Sequence, residues 1–293
     1  MIGFIGLGIM GRPMAKNLIK EGVSLMITDH NKKTAEEFSR MGVRCGSNEE
    51  IAENCSLIIL MLPNGSVSKE VLFGEDGLAS FLKEGSLVCD MSSVAPEESR
   101  YCADRLAQKN CSFMDAPVSG SESGAVAGSL AIMCGGSQKD FDRMKPYFDI
   151  MGSSAILVGG IGSGSTTKLC NQMIVNNTIA IVSEAFVFAK KAGADPEKVY
   201  QAIRGGLAGS AVLDQKVPMM IDRNFKPGGT LTIIKKDIKN CLNSAHQSDV
   251  PVPYTAQLFE IVQSLIVHGH AGDDHSGIVQ YFEALADTQV KKD

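Results

Sequence analysis

Three glycines stand at a spacing that brings backbone close to an anion. Gly6-Leu7-Gly8-Ile9-Met10-Gly11 follows the apolar run Ile2 to Ile5 and opens a helical pattern. In such a loop the first glycine allows a tight turn, the second lets the backbone reach a pyrophosphate, and the third lets helix pack on strand. The helix N-terminus adds unpaired N–H groups. Asp29 ends the next apolar run, 18 residues past Gly11, where a carboxylate can accept hydrogen bonds from the adenosine ribose. A 2′-phosphate there meets like charge, so the pattern favours NAD, while Lys32 and Lys33 keep NADP as an alternative. The competing account of Asp29 is that it merely begins a loop.

Lys168 is the most informative ionisable residue, with Asn171 and Gln172 following it at i+3 and i+4 in one long helical segment. An ammonium held there could protonate an oxyanion formed when hydride reaches a carbonyl carbon, with the amides orienting the ligand. It could equally be a lysine whose stem packs while its charge reaches solvent. In Asp115-Ala-Pro-Val-Ser-Gly120 the Ser119 hydroxyl and Gly120 N–H could hold a carboxylate, or the segment could be a structural turn. His268, His270 and His275 match no helical zinc spacing, and a glycine-rich interhelix loop accounts for them better than a metal does.

Positioning these residues requires an alternation of short strands and helices. Buried strands are expected at Ile2 to Gly6, Ser24 to Thr28, Leu57 to Leu62 and Ser86 to Asp90, with helices at 10 to 20, 33 to 41 and 96 to 109. That order implies a parallel sheet covered on both faces. Further strand-like runs at 112 to 115, 129 to 134 and 155 to 158 extend it. Beyond Gly164 the pattern becomes helical. Residues 165 to 192 are apolar around most of the circumference, through Leu169, Met173, Ile174, Ile179, Val182, Phe186 and Phe188, and are expected to be buried between other helices. Asp195-Pro196 supplies a cap and a first-turn proline. Helices follow at 196 to 204, 211 to 221, 233 to 247, 254 to 267 and 275 to 286, with Thr230 to Ile234 ambiguous. The expected domains are 1–161 and 162–293, joined through Gly159-Gly-Ile-Gly-Ser-Gly164, which reads as either a plain linker or a junction beside the active site.

Composition excludes several classes. With 28 basic and 33 acidic residues, a net charge of -5 and no basic face, a nucleic-acid partner is not expected. The eight cysteines form no CxxC pair and read as buried thiols of a cytoplasmic protein. The longest unbroken apolar run, Leu57 to Leu62, falls far short of the roughly 20 residues of a bilayer span, so no signal peptide or membrane segment is expected. Glycine is in excess, 30 of 293 residues, and clusters within the first 11 positions and between Gly120 and Gly164.

The same residues resemble the beta-hydroxyacid dehydrogenase family. Its opening signature is similar to Phe4-Ile-Gly-Leu-Gly-Ile-Met-Gly-Arg-Pro-Met-Ala-Lys-Asn-Leu18, its substrate segment to Asp115 through Gly120, and its catalytic segment to Gly162-Ser-Gly-Ser-Thr-Thr-Lys168. The resemblance implies an α/β chain like 6-phosphogluconate dehydrogenase: a Rossmann-type, doubly wound N-terminal domain, an all-α C-terminal domain, and an active site in the cleft between them. It makes Lys168 the catalytic candidate. It places Leu62, Pro63, Ser93 and Lys236 against the cofactor, with Asp237 beside the active site. Gln201 to Ser210, Asp222 to Gly228 and Asp273 to Ser276 resemble the branch that reduces small semialdehydes. The implied reaction is NADH-dependent reduction of a small anionic substrate such as tartronate semialdehyde to glycerate. Alternatives are 3-hydroxyisobutyrate oxidation, succinic semialdehyde or glyoxylate reduction, and a non-catalytic dinucleotide sensor. The chain departs from the family in carrying Gln172 where asparagine is common, with Asn171 one position earlier. It also has Gly228-Gly-Thr-Leu where an aromatic residue is usual. The apolar helical half points to a homo-oligomer, dimer or tetramer.

Overall fold

The computed structural model describes residues 1–292, apart from the side chain of Lys32. The chain divides into two compact units, Met1–Lys168 and Leu169–Asp293.

The first unit is a nine-stranded sheet with helices. In order come β1 (Ile2–Ile5), α1 (Gly11–Lys20), β2 (Leu25–Thr28), α2 (Lys32–Arg40), β3 (Arg44–Cys45), α3 (Asn48–Asn54), β4 (Leu57–Leu60), α4 (Gly65–Phe73), β5 (Leu87–Asp90) and α5 (Pro96–Ala107). Then follow β6 (Ser112–Asp115), β7 (Val118–Ser119), α6 (Ser121–Ala127), β8 (Leu130–Gly135), α7 (Gln138–Met151) and β9 (Gly152–Gly159). The strand order is β3-β2-β1-β4-β5-β6-β8-β7, with β9 also on β8. Strands β1 to β6 are parallel.

Why these short runs read as continuous apolar segments is clear from where alternate residues go. Phe4, Ile59 and Cys89 enter one hydrophobic cluster, and Ile5, Ile58, Leu60 and Val88 enter another. Side chains alternate across a strand, so a sheet with both faces covered must be apolar at every position. The sheet does not stay parallel. Beyond β6 the direction reverses, since β8 runs antiparallel to β6 and β7, and β9 is parallel to β8 through the α7 crossover. β6 and β7 therefore run in the same direction along β8, and the reversal falls in the connection through α6 between β7 and β8.

The helix α8 (Ser163–Lys191) starts at the end of the first unit and runs 29 residues. In the second unit follow α9 (Pro196–Ile203), α10 (Ala211–Ile221), α11 (Leu231–Gln247), α12 (Pro253–Leu265) and α13 (Val279–Ala286), with short irregular helical turns between the last two. Asp195 caps α9 ahead of Pro196, as its sequence predicts. The ambiguous Thr230 resolves as the N-cap of α11, which also makes an isolated bridge to Asp274. Helix α8 contributes Ile179, Val182, Phe186 and Val187 to this unit's core. The expectation that this segment is buried between other helices holds for only part of its apolar surface. Ile174, Ile181 and Phe188 are 60 to 74% exposed, because the remaining helices of the unit cover only part of its surface. Length and mean hydropathy would allow α8 to cross a bilayer, but a helix packed into a protein core passes the same test.

Candidate active site

The glycine loop has the sterics that its spacing predicts. Gly6 has a φ of +95°, and a Cβ there would lie 2.3 Å from the Met61 carbonyl oxygen. A Cβ on Gly11 would lie 2.0 Å from the Gly6 carbonyl oxygen, so helix and strand approach through that glycine. Gly8 is different. A Cβ there meets nothing within 4 Å, so packing within the protein does not require that glycine. A cavity of about 760 Å³ opens there, lined by Gly6 to Gly11, Asp29, His30, Leu62 and Pro63 among others. Helix α1 has no side-chain N-cap and no acidic residue in its first turn, which leaves its positive end for an anion. These residues fit a dinucleotide.

Asp29 does more than face that cavity. Its Oδ2 accepts the Leu7 N–H at 2.6 Å and its Oδ1 accepts the Asn31 N–H at 2.7 Å. The carboxylate therefore fixes the glycine loop as well as lining the cavity. The Lys32 side chain lies outside the described residues, and Lys33 is exposed. On the opposite wall Ser92 orders the Leu62–Pro63 segment: its hydroxyl accepts the Leu62 N–H at 2.8 Å and donates to the buried Asp90 carboxylate. Burial pushes the Asp90 carboxyl up, while the hydrogen bonds from Ser92 oppose that rise. Ser93 follows Ser92 in chain order and does not line the cavity.

Asp115 is the residue that the motif contained without an assigned role. It stands beside Asp90 in register, at the carboxyl ends of adjacent parallel strands. The signal that could have found both is an acidic residue closing an otherwise apolar buried strand, the end at which α/β sheets place their sites. Ser119, on β7, is half-buried, and Gly120 at a φ of +143° precedes α6.

Lys168 is the sixth residue of α8 and is 9% exposed. Such burial of an ammonium requires nearby polar groups. Farther along the helix, Asn171 Nδ2 donates to Gln172 Oε1 at 3.0 Å, and Gln172 Nε2 donates to Asp237 Oδ2 at 2.6 Å. The Lys236 ammonium is 3.1 Å from Asp237 Oδ1. The four side chains thus form one chain of polar contacts between α8 and α11. Gln172 is engaged at both ends of its amide, and this links the two amides whose order departs from the family pattern.

The histidines do not converge. His268 contacts the Ser264 carbonyl, His270 pairs with Asp273, and His275 lies 3.4 Å from Asn176 Oδ1. Among the described residues no three His, Cys, Asp or Glu side chains are grouped to hold a metal. All eight cysteines are free. Cys45 and Cys170 are exposed, contrary to the expectation of uniform burial, while burial pushes the Cys102 and Cys134 thiols up to about 12.

Comparison with known proteins covers nearly the whole chain. Residues 1–160 match the model described as the NAD binding domain of 6-phosphogluconate dehydrogenase. Residues 162–282 match that of the NAD-binding region of NADP-dependent 3-hydroxyisobutyrate dehydrogenase. The chain is 41% identical over 289 residues to 2-hydroxy-3-oxopropionate reductase of Escherichia coli (strain K12), covering 99% of each. It is 32% identical over 291 residues to 2-(hydroxymethyl)glutarate dehydrogenase of Eubacterium barkeri, covering 99% of this chain and 97% of that one. Among solved structures, the 3-hydroxyisobutyrate dehydrogenase of Mycobacterium tuberculosis with L-serine matches with a TM-score of 0.88 at 26% identity. That match covers 95% of this chain and 97% of the other.

Proposed function

The chain belongs to the beta-hydroxyacid dehydrogenase family, and on that premise we propose that it reduces tartronate semialdehyde (2-hydroxy-3-oxopropionate) to glycerate with NADH. It is an NAD(P)-dependent oxidoreductase. The observation that carries the substrate is the 41% identity to the Escherichia coli reductase, spread over 99% of both chains. When bound, the reduced nicotinamide supplies the hydride.

The chain's own residues supply the rest. The Lys168 ammonium donates a proton to the oxygen of the former aldehyde, and in the reverse direction the neutral amine takes it back. A cation at that position also stabilises the negative charge that grows on the oxygen. The Ser119 hydroxyl and the Gly120 N–H hold the substrate carboxylate. Asn171 adds a further donor, oriented through Gln172 by Asp237, and Lys236 supplies positive charge for the cofactor. Asp29 favours NADH over NADPH. The reading also places the enzyme in the cytoplasm as a homo-oligomer.

Replacing Lys168 by alanine should lower kcat by about 100-fold or more while leaving NADH binding, followed by fluorescence titration, within about twofold. Turnover like the wild type would overturn the proton-donor role. A second reading, 3-hydroxyisobutyrate oxidation, draws on the TM-score of 0.88 to the Mycobacterium tuberculosis enzyme. The deciding measurement is kcat/KM over a panel of semialdehydes and hydroxyacids with NADH and NADPH. Tartronate semialdehyde with NADH is expected to rank first, and a higher value for 3-hydroxyisobutyrate with NAD would replace the substrate assignment.

A further inference from the structure

We infer that Asp115 is a positioning residue for Lys168, its carboxylate fixing the first turn of α8 against the sheet and so setting the height and rotation of the helix that carries the lysine. This rests on the reading of Lys168 as the proton donor and adds to it a side chain that touches neither substrate nor cofactor.

The contacts are specific. Asp115 is fully buried at the end of β6. Its Oδ1 accepts the Gly162 N–H at 2.8 Å and its Oδ2 accepts the Ser165 N–H at 2.7 Å. The Ser165 hydroxyl bonds the same carboxylate and lies 2.9 Å from the Ser99 hydroxyl of α5. The first N–H groups of a helix have no partner within it, and a carboxylate near them is also favoured by the helix dipole. Ordinary capping side chains sit just ahead of their own helix, as Asn31, Ser47 and Asn64 do here. Asp115 instead reaches α8 from 47 and 50 residues earlier in the chain. A local cap ends a helix, whereas this one anchors it to a strand.

The surroundings admit little else. A Cβ on Gly164 would lie 2.3 Å from the Met133 carbonyl oxygen and 3.0 Å from Asp115 Oδ2, and one on Gly135 would lie 2.6 Å from Asp115 Oδ1. Backbone therefore closes on the carboxylate from two sides, and glycine at both positions is what allows the approach. Lys168 lies three residues past Ser165, so a shift of this turn moves the lysine with it. Misplacement of a reacting group by about 1 Å can cost on the order of 100-fold in rate.

The test compares Asp115→Asn in the wild-type and Lys168→Ala backgrounds of the full chain. Asparagine keeps the shape but turns one acceptor into a donor that faces an N–H. With tartronate semialdehyde as substrate, kcat should fall about 100-fold and the primary isotope effect from C4-deuterated NADH should rise, with NADH affinity changed less than about twofold. In the Lys168→Ala background the same substitution should add almost nothing, because groups acting as a unit are not additive. Ser165→Ala, which removes only the hydroxyl, should give a milder loss of about fivefold with the same non-additivity, and it carries the test if Asp115→Asn does not fold. A kcat within twofold of wild type in the folded variant, or equal losses in both backgrounds, would overturn the positioning role. Wild-type turnover by Lys168→Ala alone would overturn the proton-donor reading, an outcome separate from either.

Discussion

His275 is a residue whose environment predicts a measurable pH response. Burial and the Lys216 ammonium lower its pKa from 6.5 to about 4, while Asp274 and Asp237 pull in the opposite direction. Lys216 is itself engaged with Asp274 at 2.9 Å, and Asp274 also accepts the Ser276 and Gly228 N–H groups. Burial would raise the Asp274 carboxyl, but His275, the Ser276 N–H and Lys216 together bring it below its ordinary value. The folded chain binds the His275 proton less readily than the unfolded chain. Its stabilising contribution is therefore complete above about pH 6.5 and is lost as the pH falls toward 4. The shift corresponds to roughly 3 kcal/mol. Thermal unfolding between pH 7 and 4 should show a falling midpoint in the wild type and a flatter curve in His275→Gln. The same slope in both would assign the acid response to other groups. The sequence exposed less of this cluster than of the glycine loop. Three histidines near glycines carry no sign of which one packs, whereas the spacing from Gly6 to Gly11 encodes a local backbone path. The Asp29 bond to Leu7 was equally hidden, because it depends on how that loop turns back over β2.

At the level of elements, two glycines with different reasons to exist can be told apart. Gly164 faces the Met133 carbonyl oxygen with no room for a side chain, and Gly8 faces open space. Gly164→Ala should therefore destabilise by about 1–3 kcal/mol in denaturant unfolding, the usual cost of overpacking. Gly8→Ala should change stability by less than about 0.5 kcal/mol yet weaken NADH binding. If the two variants showed the same pattern, the distinction between packing and ligand approach would be wrong. The central strands are legible because both faces of the sheet are buried and nearly every position is apolar, the acidic ends of β5 and β6 apart. Helices α3, α4, α6 and α7 were not, and the reasons are local. α3 and α6 are seven residues each, and α7 carries Pro146 inside it. Of strand β9 only 155 to 158 is legible in the sequence, since its remaining positions are Gly152, Ser153, Ser154 and Gly159, none of them carrying an apolar side chain. The glycine-rich segment ahead of α8 could be a linker or a junction on sequence grounds. In the structure its glycines pack closely around Asp115.

At the scale of the whole molecule, the exposed apolar residues of α8 set the expectation for assembly. Ile174, Ile181 and Phe188 recur every seven residues, and so lie along one face of the helix. Isolated apolar residues on a surface need no explanation, and this aligned stripe is the face on which the proposed assembly would rest. Light scattering should give a dimer or tetramer for the wild type, and Ile181→Glu combined with Phe188→Glu should shift it to smaller species. A monomeric wild type would remove oligomerisation from the proposal. Net charge of -5 is compatible with anionic ligands because the proposed donors are local: the uncapped start of α1, Lys168 and Lys236.

The division of the chain between Lys168 and Leu169, inside an unbroken helix, bears on how such enzymes can be recombined. The proposed proton donor, its Asp115 anchor and the glycine loop are inherited together with the first 168 residues. Asn171, Gln172 and the Lys236–Asp237 pair come with the remainder. A chimera joined after Lys168, with its second half taken from a relative of different specificity, would exchange those amides and the Lys236–Asp237 pair while keeping the glycine loop, Asp115 and Lys168. The family could thus diversify its substrates by shuffling one half of the gene.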